Sequence, residues 1–285
     1  MMLPFIQINL AVLLMGTAGA VGKHTGASTL ILVWSRCGFA ALGLLGLLGV
    51  KGSLDGMLKG LRSAWVMGVL LAAHWISFFA SIQFSSVTIA VFTFSLCPIL
   101  VGLIEPMILR SPKRTRHILF ALTSSIGVWM LLPKEPASGQ MLSGVLAGLL
   151  SALLFSAYMI VGKAKSNAAL PVARFLMFQN LCAALLLTPA VLSMGNLPKQ
   201  TGVWVELLLL GIGLTAIPQL LLFRALQYFS ASTVSVLFSL ESVYGVLAAH
   251  LLLGESATPA TLAGGALIAL SATSASIGDR MPVMK

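Results

Sequence analysis

Stretches of about 20 apolar residues recur along the whole chain, and this recurrence restricts the possible fold more than any other feature. Each stretch is long enough to cross the roughly 30 Å hydrocarbon core of a bilayer as an α-helix. The ten stretches, separated by short loops, are 4–22, 28–49, 63–82, 86–109, 116–133, 140–163, 170–192, 203–226, 231–253 and 258–277. We therefore predict an all-α integral membrane protein with ten transmembrane helices and no separate soluble domain.

The amino-acid composition favours the same class. Of the 285 residues, 58% are hydrophobic and only 8% are charged, which is too little charge to cover the surface of a soluble protein of this size. The three cysteines, Cys37, Cys97 and Cys182, all lie inside predicted helices. We therefore expect them to pack as small apolar residues and to form no disulfide framework.

The basic residues lie mainly on one side of the predicted membrane. With the N-terminus in the cytoplasm, the inner loops and the C-terminal tail carry about twelve Lys and Arg residues, and the outer loops carry three, Lys23, Lys134 and Lys199. At the inner rim, Glu105 and Arg110 predict a charge pair beside a helix end. Because cytoplasmic loops are enriched in Lys and Arg, we expect both termini in the cytoplasm. The net charge of +10 is then explained by the basic cytoplasmic loops of a protein whose partner is the lipid bilayer, and we expect no nucleic-acid binding.

The second half of the chain repeats the first. Shifted by 144 residues, residues 68–96 align without a gap on residues 212–240, and at a slightly different offset Arg36 in the second stretch corresponds to Arg174 in the seventh. The first-copy residues with an identical match are Leu70, Ala72, Phe79, Gln83, Ser86, Phe94, Ser95 and Leu96. Five helices per half is an odd number, so the second half enters the membrane from the opposite side. We predict two inverted five-helix repeats, 1–135 and 136–285, an arrangement that transporters build around a midplane site.

These features resemble the EamA-type permeases of the drug/metabolite transporter superfamily. The resemblance covers nearly the whole chain and rests on the two five-helix halves, the run Arg36 to Phe39, the pair 174–175, and "LLLGE" at the end of the ninth stretch. It is greatest to the YddG-type aromatic amino acid exporters of bacteria. One departure is Ser242, where family members usually have a proline that the first repeat keeps at Pro98. The resemblance implies alternating-access export of amino acids, aromatic or broadly neutral, across the bacterial inner membrane.

Glu241 is an acidic residue in the middle of the ninth stretch. An ionised side chain at the centre of a bilayer costs at least roughly 2.5–3.5 kcal/mol, so we expect Glu241 to face a polar cavity between the two halves. Together with Tyr244, three residues later, it would suit a substrate ammonium group through charge and cation–π attraction. Two alternatives remain open. Glu241 could carry a proton that couples transport to a gradient, or it could be the structural partner of a buried Arg or His.

The third stretch predicts another part of the same site. His74, Ser77 and Ser81 share one helical face with Phe78, and Trp75 adjoins it. Such a polar face should point into the bundle rather than at lipid, either toward a cavity or into a hydrogen-bonded interior without a ligand. The predicted substrate-binding residues, including polar residues in the middle of other stretches, are His74, Trp75, Phe78, Tyr158, Gln219, Glu241 and Tyr244.

A membrane enzyme is the main alternative class. Intramembrane proteases and transferases need paired aspartates, a metal motif or a nucleophile with a base. The two aspartates, Asp55 and Asp279, lie in a predicted inner loop and in the tail, and the four histidines have no metal-ligand spacing. We therefore expect no catalytic residue, metal or cofactor. Transport of another small metabolite or drug within the same superfamily is the nearer alternative, and a monomer and a homodimer both fit the sequence.

Overall fold

The computed structural model describes residues 2–50, 61–85, 87–110, 115–131, 140–166, 171–195, 197–253 and 258–277. All regular secondary structure in this part of the chain is helical, and it contains no strand. Besides one π-helical turn, Ile212–Ala216, its helices are α1 Met2–His24, α2 Thr29–Val50, α3 Leu61–Phe84, α4 Val87–Phe94, α5 Cys97–Leu109, α6 Thr115–Leu131, α7 Met141–Ser166, α8 Val172–Met194, α9 Thr201–Gly211, α10 Ile217–Tyr228, α11 Ala231–Phe238, α12 Leu240–Leu253 and α13 Pro259–Ile277.

The helices account for the ten predicted membrane stretches. Three stretches are interrupted: α4 and α5 form the fourth, α9, the π-helical turn and α10 form the eighth, and α11 and α12 form the ninth. Eight of the ten are long and apolar enough to cross a membrane. The other two are α1, with the shorter apolar stretch Leu3–Ala18, and α6, which has 17 residues. The prediction of a multi-pass, all-helical membrane protein is confirmed.

The fourth and ninth stretches break near their middles, at Ser95 and at Ser239. In the fourth stretch Pro98 lies in the first turn of α5 and has no N–H group to donate to the preceding turn. The ninth stretch breaks without a proline. There the Ser239 N–H donates to the Val236 carbonyl and the Ser242 N–H to the Ser239 carbonyl, a tighter pattern than that of an α-helix. Ser242, where the resemblance implies a proline, therefore leaves the break in place.

The π-helical turn lies directly before Pro218. The N–H group of Ile217 donates to the Ile212 carbonyl, five residues back, and the Thr215 hydroxyl donates to the Leu210 carbonyl at 2.7 Å. Widened turns of this kind accommodate a proline inside a membrane helix and often occur at functional sites. The backbone of the eighth stretch is thus irregular at the depth where Thr215 lies.

Close packing between several helices depends on glycine. A Cβ atom on Gly127 of α6 would lie 2.7 Å from the Gly264 carbonyl oxygen of α13. A Cβ atom on Gly16 of α1 would lie 2.7 Å from the Glu241 carbonyl oxygen of α12. Neither distance is tolerable for a methyl group, so glycine is what lets these backbones approach. The second contact holds α12 against α1 at the level of Glu241.

Several residues named from the sequence lie outside the residues that the structure describes. They are Asp55, Ser86, Lys134, Asp279, the last two residues of "LLLGE", 254–255, and several basic loop residues on which the predicted orientation rests. The side chain of Lys23 also lies outside the described part.

Candidate functional site

A cavity of about 980 Å³ lies within the bundle and is lined by residues from both halves of the chain. The first half contributes Arg36 and Trp75 to its wall, and the second half contributes Tyr158, Gln219 and Glu241. Small-molecule sites usually enclose about 300–1,000 Å³. The cavity is therefore large enough for a solute the size of an amino acid.

Aromatic rings form much of the wall. The ring centres of Phe94 and Phe155 are 5.2 Å apart, and Phe155 also contacts Tyr158 and Phe238, each at 5.4 Å. Phe78 meets Phe94 edge to face at 5.8 Å. Rings at these separations attract one another and present a continuous apolar surface. The apolar or aromatic part of a solute would pack against this surface.

The structure brings six of the seven predicted substrate-binding residues to the cavity wall: His74, Trp75, Phe78, Tyr158, Gln219 and Glu241. The seventh, Tyr244, is not among the residues that line the cavity. Its hydroxyl donates to Asn9 Oδ1 on α1 at 3.4 Å. Three residues along a helix differ by about 60° around its axis, which is enough to turn Tyr244 away from the face that carries Glu241. The predicted contact between Tyr244 and the substrate therefore has no support in the structure.

The polar face predicted on α3 divides between two roles. Ser77 donates to carbonyl oxygens of its own helix, and Ser81 donates to a carbonyl oxygen of α7 at 2.7 Å. His74 and Phe78 line the cavity instead. His74 also contacts α7, because its Nδ1 lies 2.8 Å from the Ser151 hydroxyl oxygen. Ser77 and Ser81 thus belong to a hydrogen-bonded interior, whereas His74 makes a structural contact and also lines the cavity.

Two buried amide side chains support polar groups of the wall from behind. Gln179 Nε2 donates to the Tyr158 hydroxyl at 2.8 Å, and Asn180 Nδ2 donates to Gln219 Oε1 at 2.6 Å. Both amides lie on α8 and are fully buried. They fix the orientation of Tyr158 and Gln219, whose remaining hydrogen-bond donors are then available to a solute.

Arg36 is a charged residue that lines the cavity but is not among the predicted substrate-binding residues. Its Nε donates to Thr215 Oγ1 at 3.0 Å, and its guanidinium carbon lies 5.6 Å from the centre of the Trp75 ring. Arg36 also interacts electrostatically with Glu241. In the sequence it stands out as the counterpart of Arg174 and as the first residue of the run Arg36 to Phe39, but not as a site residue, although an arginine inside a membrane stretch is by default a functional-site candidate.

Comparison with known proteins identifies the family. The sequence pattern of the EamA-like transporter family matches residues 2–132 and 142–277, nearly the whole chain. The chain belongs to the EamA-like transporter family. This finding confirms the predicted resemblance at the level of the family.

Two relatives agree with this assignment, and a solved structure shares the fold. The uncharacterized transporter YxxF of Bacillus subtilis is 23% identical over 252 residues, which cover 85% of this chain and 79% of the relative. An uncharacterized transporter of Archaeoglobus fulgidus is 28% identical over 266 residues, 92% of each chain. A crystal structure of a protein with 20% sequence identity superimposes with a TM-score of 0.83, over 96% of this chain and 97% of the other, and shares the fold. The protein is therefore an EamA-like membrane transporter, and the narrower likeness to aromatic amino acid exporters stays a prediction.

In this EamA-like transporter, buried contacts join the helices at the end of the bundle where α5 ends and α11 begins. The Glu105 carboxylate, only 2% exposed, accepts hydrogen bonds from the Ala231 N–H at 2.8 Å, the Ser232 N–H at 2.7 Å and the Ser232 hydroxyl. These are the first N–H groups of α11, which have no partner within the helix and carry the positive end of its dipole. Glu105 therefore pairs with the N-terminus of α11 rather than with Arg110.

The opposite end of the EamA-like transporter is different. There the cavity wall extends to residues 128–131 at the end of α6 and to Thr258 and Thr261 at the start of α13. At the α5–α11 end, by contrast, Lys163 adds a second link by donating to the Leu226 carbonyl of α10. The cavity thus reaches toward one end of the bundle, and the buried contacts of Glu105 and Lys163 lie at the other.

Replacing Glu105 by Gln should weaken the α5–α11 end. Gln has nearly the same shape, but it removes the negative charge and directs an amide N–H₂ group at the N–H donors of α11. Because hydrogen bonds to charged groups contribute about 1.5–3 kcal/mol, we expect a loss of that size, measured as a lower unfolding temperature in detergent.

Glu206→Gln is the matched control for this substitution. Glu206 pairs with His24 at 3.2 Å at the surface, where the side chains of His24 and Glu206 are 73% and 32% exposed. Exposed ion pairs contribute about 0–1 kcal/mol, so this variant should unfold close to the wild-type temperature. Equal unfolding temperatures for Glu105→Gln and Glu206→Gln would contradict the role assigned to Glu105.

Proposed function

We propose that the protein is a secondary carrier that exports amino acids, aromatic or broadly neutral, from the bacterial cytoplasm across the inner membrane by alternating access. The observation that carries this proposal is one cavity wall that combines a carboxylate, a guanidinium and a cluster of aromatic rings. An amino acid has an ammonium group, a carboxylate and, in the aromatic and most neutral members, an apolar side chain. The wall offers a complementary group for each part.

Glu241 is the proposed partner of the substrate ammonium group. It lies in the first turn of α12 and is the single acidic residue among the described residues of the cavity wall. A carboxylate inside a membrane protein is strongly unfavourable unless it faces water, a partner or a solute. Because Glu241 lines the cavity, water or a solute can satisfy its carboxylate there. Since Tyr244 lies elsewhere, any cation–π attraction for the ammonium group would come from the rings of the wall.

We propose that the two halves, 1–135 and 136–285, are inverted repeats that move against each other. The pattern of helix packing supports this relation. α3 packs on α7 as α10 packs on α1, and α5 packs on α7 as α12 packs on α1. In the pairs α2–α8 and α6–α13, each helix packs on its own equivalent in the other half, so that exchanging the halves leaves these two contacts unchanged. This exchange of partners is expected when two halves are related by an axis in the membrane plane.

The difference between the two ends of the bundle supports alternating access. The cavity wall extends toward the end formed by α6 and α13, while Glu105 joins α5 to α11 at the other end. Release of a solute at the α5–α11 end would require the hydrogen bonds of Glu105 to break. The carrier would then pass between two arrangements in which only one end at a time gives access to Glu241 and Arg36.

We propose that the α5–α11 end faces the cytoplasm, as do both termini. Exposed basic side chains lie at this end, where Lys and Arg are expected on a cytoplasmic face: Arg110, Arg116, Lys165 and Arg224. A cysteine introduced at Gln200, exposed between α8 and α9, should react with an impermeant thiol reagent added outside intact cells. The native cysteines are buried, and the parent protein is the control. Labelling only after the membrane is permeabilised would reverse the orientation and the direction of transport.

Two other functions remain as outcomes of the test. The aromatic wall alone would also suit another apolar metabolite or a drug. A membrane enzyme is less favoured, because the family and the relatives are transporters. Within the described ranges, moreover, no three His, Cys, Asp or Glu side chains are grouped as metal ligands.

Counterflow in proteoliposomes tests the proposal. Liposomes loaded with unlabelled leucine or phenylalanine should transiently accumulate the labelled amino acid, because a carrier exchanges its solute across the membrane. Liposomes loaded with a sugar or a nucleoside should not accumulate its labelled form, and all solutes should be recovered chemically unchanged. Protein-free liposomes are the control. Exchange of sugars, nucleosides or drugs without exchange of amino acids would favour the second function, and chemical conversion of a solute would favour an enzyme.

A further inference from the structure

We propose that Arg36 binds the carboxylate and Glu241 the ammonium group of one solute, so that the transported molecule must be a zwitterion. This inference rests on the proposed amino-acid transport and narrows it. An amine or a carboxylic acid with the same side chain should be a poor substrate. The inference also gives Arg36, which the sequence does not single out as a site residue, a direct role in substrate selection.

Some N–H donors of the Arg36 guanidinium have no acceptor among the described residues. Arginine carries five N–H donors, and the one on Nε donates to Thr215 Oγ1 at 3.0 Å. The two terminal nitrogens have no hydrogen-bond acceptor among the described residues, and neither nitrogen is fully buried. The bond to Thr215 and the Trp75 ring, 5.6 Å away, hold the group in place. A carboxylate is the partner that such a fork binds through two parallel hydrogen bonds.

The Glu241 carboxylate is unpaired in the same way. No described residue donates a hydrogen bond to it, and its oxygens are not among the buried unpaired atoms. It interacts electrostatically with Arg36. The two side chains nevertheless do not form an ion pair, in which nitrogen and oxygen would lie within 4.0 Å. A guanidinium and a carboxylate that line one cavity without touching are suited to a solute that carries both opposite charges.

The two charged residues come from different halves of the chain. Arg36 lies on α2 and Glu241 on α12. A bound zwitterion would connect the halves, with its carboxylate on one and its ammonium group on the other. In the absence of a solute, Arg36 and Glu241 attract each other directly. In both cases the two charges are neutralised when the cavity closes.

Charge neutrality during closure is the physical basis of the selectivity. Closure removes water from the cavity, and an unpaired charge then becomes strongly unfavourable. A bound amine would pair with Glu241 and leave Arg36 without a partner. A bound carboxylate without an ammonium group would pair with Arg36 and leave Glu241 without one. Only a zwitterion satisfies both residues while the aromatic wall holds its side chain.

Competition in the counterflow assay tests the inference on the wild-type protein. Leucine, 3-methylbutylamine and 4-methylpentanoate share one side chain and differ only in their charged groups. Leucine should inhibit the exchange of labelled leucine at concentrations at least about tenfold lower than either analogue, because losing one partner of a desolvated charge pair weakens binding by that factor or more. Inhibition by the amine at the same concentration would overturn the role of Arg36, and equal inhibition by the acid would overturn that of Glu241.

Charge variants should shift the selectivity in opposite directions. In Arg36→Gln the amine should gain on leucine, because no guanidinium is left unpaired, and in Glu241→Gln the acid should gain. Most of the tenfold preference should disappear in each case. Arg36→Lys keeps the positive charge and should retain the preference over the amine. A residue that only supports folding would lower the exchange of all three solutes and leave their ratios unchanged.

Arg174→Gln is the matched control. Arg174 is the counterpart of Arg36 in the second half and is buried on α8, but it is not among the residues that line the cavity. Its replacement should leave both selectivity ratios at their wild-type values. Unshifted ratios in Arg36→Gln and Glu241→Gln would overturn the inference while amino-acid transport stands. A wild-type protein that exchanges no amino acid would overturn the proposed function as well.

Discussion

Arg36 and Glu241 place two opposite charges inside the membrane-spanning bundle, and the surrounding structure must keep both side chains away from lipid. Either side chain would be strongly unfavourable against lipid. Both instead face a cavity whose wall comes from the two halves of the chain. The backbone is irregular beside them: the ninth stretch breaks at Ser239, just before Glu241, and the π-helical turn carries Thr215, the hydrogen-bond partner of Arg36. Irregular backbone at membrane depth is expected only where it is buried in protein or lines such a cavity.

The same constraint explains the contacts at the α5–α11 end. The charge of Glu105 is met by the first N–H groups of α11. This pairing can be broken without leaving an unpaired cation behind, because water can satisfy the N–H groups of a helix terminus. The contact between α6 and α13 is of another kind, with the backbones of Gly127 and Gly264 too close for any side chain between them. In the proposed alternating access, the first contact suits an end that opens, and the second suits two helices that stay together.

Apolar length was sufficient to predict the helices, because about 20 such residues are needed to cross a bilayer. Polar and aromatic residues in the middle of the stretches also predicted six residues of the cavity wall, since few positions at that depth can carry polar groups. Local pattern could not show that Tyr244 turns toward α1, because a difference of about 60° on one helix depends on how that helix packs. Nor could it show that Thr215 holds Arg36, or that Glu105 meets Ala231, 126 residues away. These contacts exist only once the two halves have assembled.

The most direct test of the central claim is an experimental structure of the protein with bound 4-bromophenylalanine, in which anomalous scattering locates the bromine. We predict the bromine beside the rings of Phe94, Phe155 or Phe238, the carboxylate at Arg36 and the ammonium group at Glu241. An amino acid bound outside the cavity would contradict this assignment. So would one inside it with neither charged group at these two side chains.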